Sequence, residues 1–101
     1  MDKNENRKFE PFDIVKHFKR EQQAAFDPSS LLYYYKIVGD GIDVETNEMV
    51  MIYEALYWPY QKFVRKYDEF MEDVMVGEKL IPRFEKVRGE ELAEVIKKIR
   101  R

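Results

Sequence analysis

The segment GIDVETNEMVMIYEALYW, residues 41–58, decides the fold of this chain because its apolar side chains fit two kinds of secondary structure. From Met49 to Leu56, apolar residues recur at the spacing of a buried helix face. The same residues also fill both faces of an extended chain, as in a central β-strand. Periodicity alone does not separate these interpretations for a short apolar run, so the flanking segments must decide.

The preceding segment favours strands. LLYYYKIV, residues 31–38, is rich in tyrosine, isoleucine and valine, which suit a pleated sheet better than a helix. The Gly-Asp-Gly sequence at residues 39–41 predicts a bend or a β-bulge. Beyond it, Ile42 and Val44 alternate with acidic residues, which is the pattern of a half-buried strand.

The segment itself then divides into a turn and a strand. The polar sequence ETNE, residues 45–48, predicts a turn in which Asn47 takes a left-handed backbone conformation. After it, residues 49–58 are apolar on both faces apart from Glu54 and predict a central strand. Residues 31–58 are therefore predicted to form a long, bent β-hairpin.

The rest of the chain predicts shorter elements. Near the start, residues 11–26 fit either a helix or a strand, because Ile14 and Phe18 can share a helix face and Ala24-Ala25 favours a helix. The later elements are, in order, a turn at residues 58–61, a strand starting at Phe63, a helical turn at residues 67–71, a strand at residues 72–76, a turn at Gly77 and a strand at residues 81–87.

A C-terminal helix is predicted at residues 89–100. Its apolar residues recur at helical spacing, with glutamates in the first turn and basic residues in the last, an order that suits the helix dipole. These apolar residues are Leu92, Val95, Ile96 and Ile99. Because an isolated helix of about 12 residues is only marginally stable in water, this stripe is expected to cover part of the domain or to meet a second copy of the chain.

Composition limits the kinds of site that the chain can build. With 101 residues it is expected to form a single domain, residues 1–101, with a flexible start at residues 1–10. The absence of cysteine and the single histidine exclude disulfides, thiol nucleophiles and multi-histidine metal sites within one chain, and no cofactor is predicted. The charged start and the lack of an apolar run of about 18 residues predict a cytoplasmic protein with no membrane partner.

The net charge of −2 conceals an uneven distribution. Residues 21–78 hold 4 basic and 12 acidic side chains, whereas residues 79–101 hold 8 basic and 4 acidic ones. A domain that grips nucleic acid by its phosphates usually has a basic face. Here the middle of the chain would repel a polyanion, and only the two ends would attract one.

Short motifs follow one another in a fixed order over roughly residues 14–87: His17-Phe18-Lys19, Tyr35-Lys36-Ile37, Glu45-Thr46-Asn47-Glu48, IYEALY at 52–57, Val64-Arg65 with Tyr67 and Phe70, and Ile81-Pro82-Arg83-Phe84-Glu85. This series resembles the small bacterial family called domain of unknown function 1653. The resemblance implies a mostly β (α+β) fold, a small SH3-like β-barrel over residues 14–87 with the C-terminal helix appended. It favours strands in DIVKHFKRE, residues 13–21, and implies no established activity.

Three positions depart from the pattern of that family. The family often has a histidine where Asp43 stands, a proline where Lys66 stands and a glycine where Asn47 stands. The last change is mild because asparagine also accepts a left-handed backbone. The first one excludes any mechanism that needs two histidines.

His17 and Arg65 are the main polar candidates for a site. His17 has the one side chain with an ordinary pKa near neutrality, but a general base would need an orienting carboxylate, so a hydrogen bond inside the domain or at its rim is the favoured expectation. The stem of Arg65 is expected to pack between apolar neighbours. An internal ion pair of Arg65 with Glu54 or Asp68 is favoured over a bidentate grip on a ligand carboxylate or phosphate.

The aromatic residues Tyr53, Tyr57, Trp58 and Tyr60 predict a stacking surface for bases or for a proline-rich peptide, although some of them must fill the core. The chain has no glycine-rich phosphate loop and no Ser/His/Asp arrangement, so it gives no positive sign of an enzyme.

Three functional hypotheses follow. The leading one is a non-catalytic binding module, an analogy with other small barrels, that holds a peptide or nucleic-acid segment in an aromatic-rimmed groove. Its ligand-binding residues are His17, Tyr53, Tyr57, Trp58 and Arg65. The second is an enzyme or small-metabolite binder that uses His17 with a nearby carboxylate. The third is a structural protein that forms a homodimer through a strand edge or through the C-terminal helix.

Overall fold

The computed structural model describes residues 8–22 and 27–99. Within them the elements are, in chain order, β1 (Ile14–His17), a 3₁₀ helix (Phe18–Gln22), β2 (Tyr34–Ile42), β3 (Met49–Ala55), β4 (Lys62–Lys66), α1 (Tyr67–Phe70), β5 (Asp73–Val76), β6 (Lys79–Pro82), β7 (Phe84–Lys86) and α2 (Gly89–Ile99). The predicted mostly β, α+β fold with a C-terminal helix is confirmed.

The strands form two antiparallel sheets. The main sheet has five strands in the order β4-β3-β2-β1-β7, and β5 pairs with β6 in a separate hairpin. The expected SH3-like barrel is not closed, because within the described residues β4 and β7 lie at opposite ends of the main sheet and do not pair. The single strand predicted at residues 81–87 is divided at Arg83, whose backbone N–H donates to the carbonyl of Glu72 at 3.0 Å. Its two halves consequently join different sheets.

The long hairpin that the opening segment predicts is formed by β2 and β3. Its register shifts directly after Ile37, so the predicted bulge at the glycines is confirmed. Asn47 has φ of 62°, which is the expected left-handed conformation. The turn begins at Asp43, whose N–H donates to the carbonyl of Glu48 at 2.9 Å. Val44 therefore lies in the turn and is 94% exposed, and the prediction of a half-buried strand through it is wrong.

The ambiguous N-terminal segment contains both kinds of structure. β1 pairs with β2 and with β7, and the chain enters the 3₁₀ helix directly afterwards. Ala24-Ala25, the pair that favours the helical alternative, lies within residues 23–26, which are outside the described residues. Residues 1–7, most of the segment predicted to be flexible, also lie outside them.

The hydrophobic core lies on one face of the main sheet, which we call the inner face. Alternate strand residues point into it, and the buried ones are Val15, Tyr35, Ile37, Met51, Tyr53, Ala55 and Phe84. α1 covers them with Phe70, whose ring is stacked on that of Phe84 with centroids 4.0 Å apart. Phe9 packs edge-on against Phe70 with centroids 5.3 Å apart.

α2 covers one end of the opposite, outer face of the sheet. Val95 is buried against Tyr34 and Val87, and Leu92 packs beside them half-buried. Two of the four stripe residues therefore cover the domain, as expected. Ile96 and Ile99, at 36% and 42% exposure, are the stripe residues that remain at the surface.

Polar contacts fix α2 to the sheet next to this apolar patch. The Tyr34 hydroxyl donates to the Glu91 carboxylate at 2.6 Å, and Lys16 Nζ lies 3.2 Å from the same carboxylate. Burial works against the charged form of Glu91, but the hydrogen bonds from Tyr34 and Lys16 prevail and lower the pKa of its carboxyl. No helix of the described residues has the length and apolar character needed to cross a membrane.

Candidate functional site

Four tyrosines, which we call the tyrosine cluster, occupy one end of the inner face: Tyr33, Tyr35, Tyr53 and Tyr57. Tyr35 is central, since its hydroxyl shares a hydrogen bond of 2.8 Å with that of Tyr57 and its ring meets that of Tyr53 edge-on with centroids 5.2 Å apart. Burial and the bond to Tyr57 raise the pKa of Tyr35. Tyr33 has φ of 69°, which is uncommon for a bulky residue and is held here by the packing of the cluster.

His17 lies inside the domain next to this cluster and is 8% exposed. Its ring lies between the rings of Phe18 and Phe84, with centroids 4.7 and 4.9 Å away. Its Nδ1 accepts a hydrogen bond of 3.2 Å from the backbone N–H of Lys19. Burial, and then the positive charge of Arg65 and other cations, lower the pKa of His17 to about 4. The imidazole is therefore neutral at pH 7.

Acid should destabilise the protein through His17. The pKa of this side chain is about 4 in the folded protein against 6.5 ordinarily, so on acidification the unfolded chain binds the proton first and stability falls between pH 6.5 and 4. His17→Asn keeps an acceptor near Nδ1 and does not titrate. Between pH 7 and 4 the wild type should lose about 2 to 3 kcal/mol more free energy of unfolding than this variant, measured by urea denaturation. Equal losses would contradict the buried neutral imidazole.

The surface beside His17 does not supply the carboxylate that a catalytic histidine would use. A pocket of about 180 Å³ is lined by His17, Lys16, Glu21 and Glu85, among others. Both glutamates lie within ion-pair distance of Lys16, at 3.0 and 3.8 Å, and neither bonds to the imidazole. Over the described ranges 8–22 and 27–99, no group of three acidic or histidine side chains could hold a metal ion.

The side chain of Arg65, on β4, contacts Tyr53 of the tyrosine cluster and lies near Phe84. Its Nε donates to the Tyr53 hydroxyl at 3.2 Å, and its guanidinium carbon lies 5.8 Å from the centre of the Phe84 ring. The expected ion pair with Glu54 or Asp68 is not formed, since Glu54 is held by two lysines instead. In the part of the chain that the structure describes, Arg65 has no carboxylate within 4.0 Å.

The turn between β3 and β4 exposes two large aromatic side chains. We call residues 57–60 the aromatic turn. Trp58 and Tyr60 are 80% and 58% exposed, whereas Tyr57 is half-buried in the tyrosine cluster. The N–H of Tyr60 donates to the carbonyl of Tyr57 at 2.7 Å, which closes the turn. The turn predicted from Pro59 is therefore present, and it leads directly into β4.

The structure brings together four of the five residues that the sequence singles out. His17, Tyr53, Tyr57 and Arg65 gather around the rings of Tyr35 and Phe84, while Trp58 stands apart on the surface. The centroids of neighbouring rings in this group lie 4.9 to 5.9 Å apart, and the guanidinium carbon of Arg65 lies 5.8 Å from the centroid of the Phe84 ring. Tyr53 is buried, so it contributes a hydroxyl to Arg65 rather than a stacking face.

Tyr35 and Phe84 were not identified as site residues from the sequence. The alternation in LLYYYKIV carries a signal for the first of them, because it places Tyr33 and Tyr35 on the same face as the buried Ile37. No local pattern marks Phe84, whose position depends on the pairing of β7 with β1.

Comparison with known proteins gives one match. Residues 13–86 match the model of a family described as "Protein of unknown function (DUF1653)". The comparisons with curated proteins and with solved structures give no significant match. The match includes β1 to β7, with every residue of the cluster around Tyr35 and Phe84, and it ends before α2. The chain therefore belongs to the DUF1653 family.

Proposed function

We propose that this protein is a non-catalytic binding module that holds a peptide segment beside β4. Arg65 contacts a carboxylate of the peptide, and the aromatic turn contacts its side chains. One observation carries the proposal: Tyr53 and Phe84 orient the Arg65 guanidinium, which meets no carboxylate within the described residues. A guanidinium held in this way presents N–H donors in the fork geometry that suits a carboxylate.

The charge distribution favours a peptide over a nucleic acid. Residues 21–78 hold 12 acidic and 4 basic side chains, and 3 of the basic ones, Lys62, Arg65 and Lys66, lie on β4. A polyanion that extends beyond β4 would meet the acidic side chains of this segment. A single carboxylate needs only the charge of Arg65, since Lys62 and Lys66 already pair with Glu54 and Glu48 at 3.3 and 3.7 Å.

The aromatic turn adds contact area at the start of the same strand. Trp58 and Tyr60 are exposed four and two residues before Lys62. Exposed tryptophan and tyrosine side chains dominate the binding energy of many protein interfaces because they bury a large apolar area with few rotatable bonds. The turn therefore supplies the apolar part of a site whose polar part is Arg65.

An enzyme or small-metabolite binder centred on His17 has weaker support. Cations surround the imidazole, and the nearby glutamates are engaged by Lys16. A low pKa also leaves the ring a weak base.

Selection from a random peptide library displayed on phage tests the proposal. We expect enriched peptides with acidic residues, and we expect their binding to alter the fluorescence of Trp58, which is the single tryptophan. Arg65→Gln should weaken these peptides by about tenfold or more, because a hydrogen bond between charged groups contributes about 1.5 to 3 kcal/mol. The same variant should lose only about 1 kcal/mol of folding stability, since it gives up one bond to a tyrosine hydroxyl.

Lys97→Gln is the matched control, because it removes one positive charge from an exposed position on α2. It should leave peptide affinity unchanged. Absence of enriched peptides, or equal binding by wild type and Arg65→Gln, would refute the proposal. Binding of a single-stranded oligonucleotide that is lost in Arg65→Gln would assign the site to nucleic acid instead.

A further inference from the structure

We infer that the ligand binds as an added β-strand on the exposed edge of β4 and that it is an acidic, extended peptide. β4 is the terminal strand of the main sheet and pairs with β3 on one side. This inference rests on the proposed peptide-binding function and specifies its geometry. An unpaired strand edge offers backbone donors and acceptors to any extended segment that reaches it.

The hydrogen-bond pattern identifies which backbone groups face outward. The N–H of Ala55 donates to the carbonyl of Gln61 at 2.9 Å, and the register then pairs Tyr53 with Phe63. In an antiparallel pair the bonded positions alternate, so Phe63 and Arg65 bond to β3. The N–H and C=O of Lys62 and Val64 consequently point away from the sheet. Across the described ranges these four groups have no backbone partner.

The opposite edge of the sheet has another segment of the chain beside it. At β7, Lys86 Nζ donates to the carbonyl of Lys8 at 2.8 Å, and Phe9 packs into the core beside this strand. Within the described part of the chain no hydrogen bond reaches the outward backbone groups of β4, and Val64 at its centre is 65% exposed. A β-branched apolar side chain exposed on an open edge favours pairing with another strand.

The charges of β4 argue against a second copy as the occupant. Antiparallel pairing of two β4 strands about Val64 would place Lys62 of each copy opposite Lys66 of the other. Like charges directly opposite one another destabilise a strand pair. An acidic strand instead places a carboxylate opposite each lysine, where it would compete with the present partners of these lysines, Glu54 at 3.3 Å and Glu48 at 3.7 Å.

The same geometry defines the side chains of the partner. Lys62, Val64 and Lys66 point to the outer face, whereas Phe63 and Arg65 point to the inner face. An antiparallel peptide would place acidic residues opposite the two lysines and an apolar residue opposite Val64. A further carboxylate opposite Arg65 would reach the guanidinium that Tyr53 and Phe84 orient.

A pair of N-methylated peptides tests this mode of binding with the full, unmodified chain. The parent is a short synthetic peptide, capped at both ends, with acidic residues opposite Lys62, Arg65 and Lys66 and a valine opposite Val64. N-methylation of that valine removes a donor that faces β4 and should weaken binding about tenfold or more. N-methylation of the residue opposite Phe63, whose N–H faces solvent, is the matched control and should change affinity by less than about twofold.

Hydrogen exchange followed by NMR provides the second readout. The amide of Val64 should exchange about tenfold or more slowly with the parent peptide bound, because it gains a hydrogen bond. Equal affinities of the two methylated peptides, or an unchanged amide of Val64, would overturn strand addition. Failure of the parent peptide while library-selected peptides bind would also overturn it and leave the proposed function standing, whereas failure of all peptides refutes both. A dimer of the free protein that protects Val64 would assign the edge to a second copy and refute the acidic partner.

Discussion

Phe70→Ala should lower the free energy of unfolding by about 3 to 5 kcal/mol, the range for removal of a fully buried phenylalanine ring. Phe70 is 1% exposed and is stacked on Phe84 with centroids 4.0 Å apart. It also packs edge-on against Phe9 and at a tilt against Tyr53. Its removal leaves a cavity between α1 and the sheet that the surrounding rings cannot fill without moving. A loss of this size would remove a large part of the free energy of unfolding of a small domain.

The expected loss of stability comes from the buried position of the Phe70 ring and not from any stability of α1 itself. α1 spans Tyr67–Phe70, a single turn that cannot form alone in water. Phe12→Ala is the matched control, because Phe12 is 78% exposed and its removal should change stability by less than about 0.5 kcal/mol. Chemical denaturation of both variants measures the difference. A cost below about 1 kcal/mol for Phe70→Ala would contradict the described core.

The hairpin could be predicted because local chemistry determines it. Valine, isoleucine and tyrosine favour strands, the glycine pair favours a bulge, and Asn47 adopts the left-handed backbone without a large steric cost. Each of these signals lies within a few residues of its consequence. Local signals of this kind do not reveal whether the sheet closes into a barrel, because closure depends on whether two strands distant in sequence meet. The division of one predicted strand at Arg83 sends its halves to different sheets, and within the described residues β4 and β7 do not pair.

The candidate site was predicted in its residue types but not in its contacts. His17 is identifiable because it is the single histidine of the chain, and Arg65 because it follows the apolar pair Phe63-Val64. The partner of Arg65 was predicted wrongly, since Glu54 is taken by Lys36 and Lys62 across the sheet at 3.4 and 3.3 Å. Proximity along the chain does not reveal such competition between cross-strand partners. The bond of Arg65 to Tyr53 follows from strand register, which no local pattern specifies.

Deletion of residues 89–101 should lower the free energy of unfolding by about 3 to 6 kcal/mol. The buried Val95 and the half-buried Leu92 leave the outer face, where full burial of an aliphatic side chain contributes about 1.5 to 3 kcal/mol, and the loss of cover over Tyr34 and Val87 adds to the cost. Tyr34 and Val87, now 4% and 2% exposed, would meet water. The loss should be visible in the melting temperature. Because α2 lies outside the family match at residues 13–86, this expectation concerns a segment that the family resemblance does not explain.

Two point variants test whether α2 docks on the sheet even if the shortened chain does not fold. Val95→Asp places a charge at a position that is 2% exposed and should cost more than about 3 kcal/mol, because an unpaired buried carboxylate is strongly unfavourable. Ile99→Asp, on the same stripe but 42% exposed, should cost less than about 1 kcal/mol. Equal effects would mean that the helix does not dock through Val95.

If the shortened chain kept its melting temperature and its sedimentation mass, α2 would be a free tail. If Ile99→Asp instead halved the mass, the exposed end of the stripe would be an interface between two copies, since only an assembly can lose mass through a surface substitution.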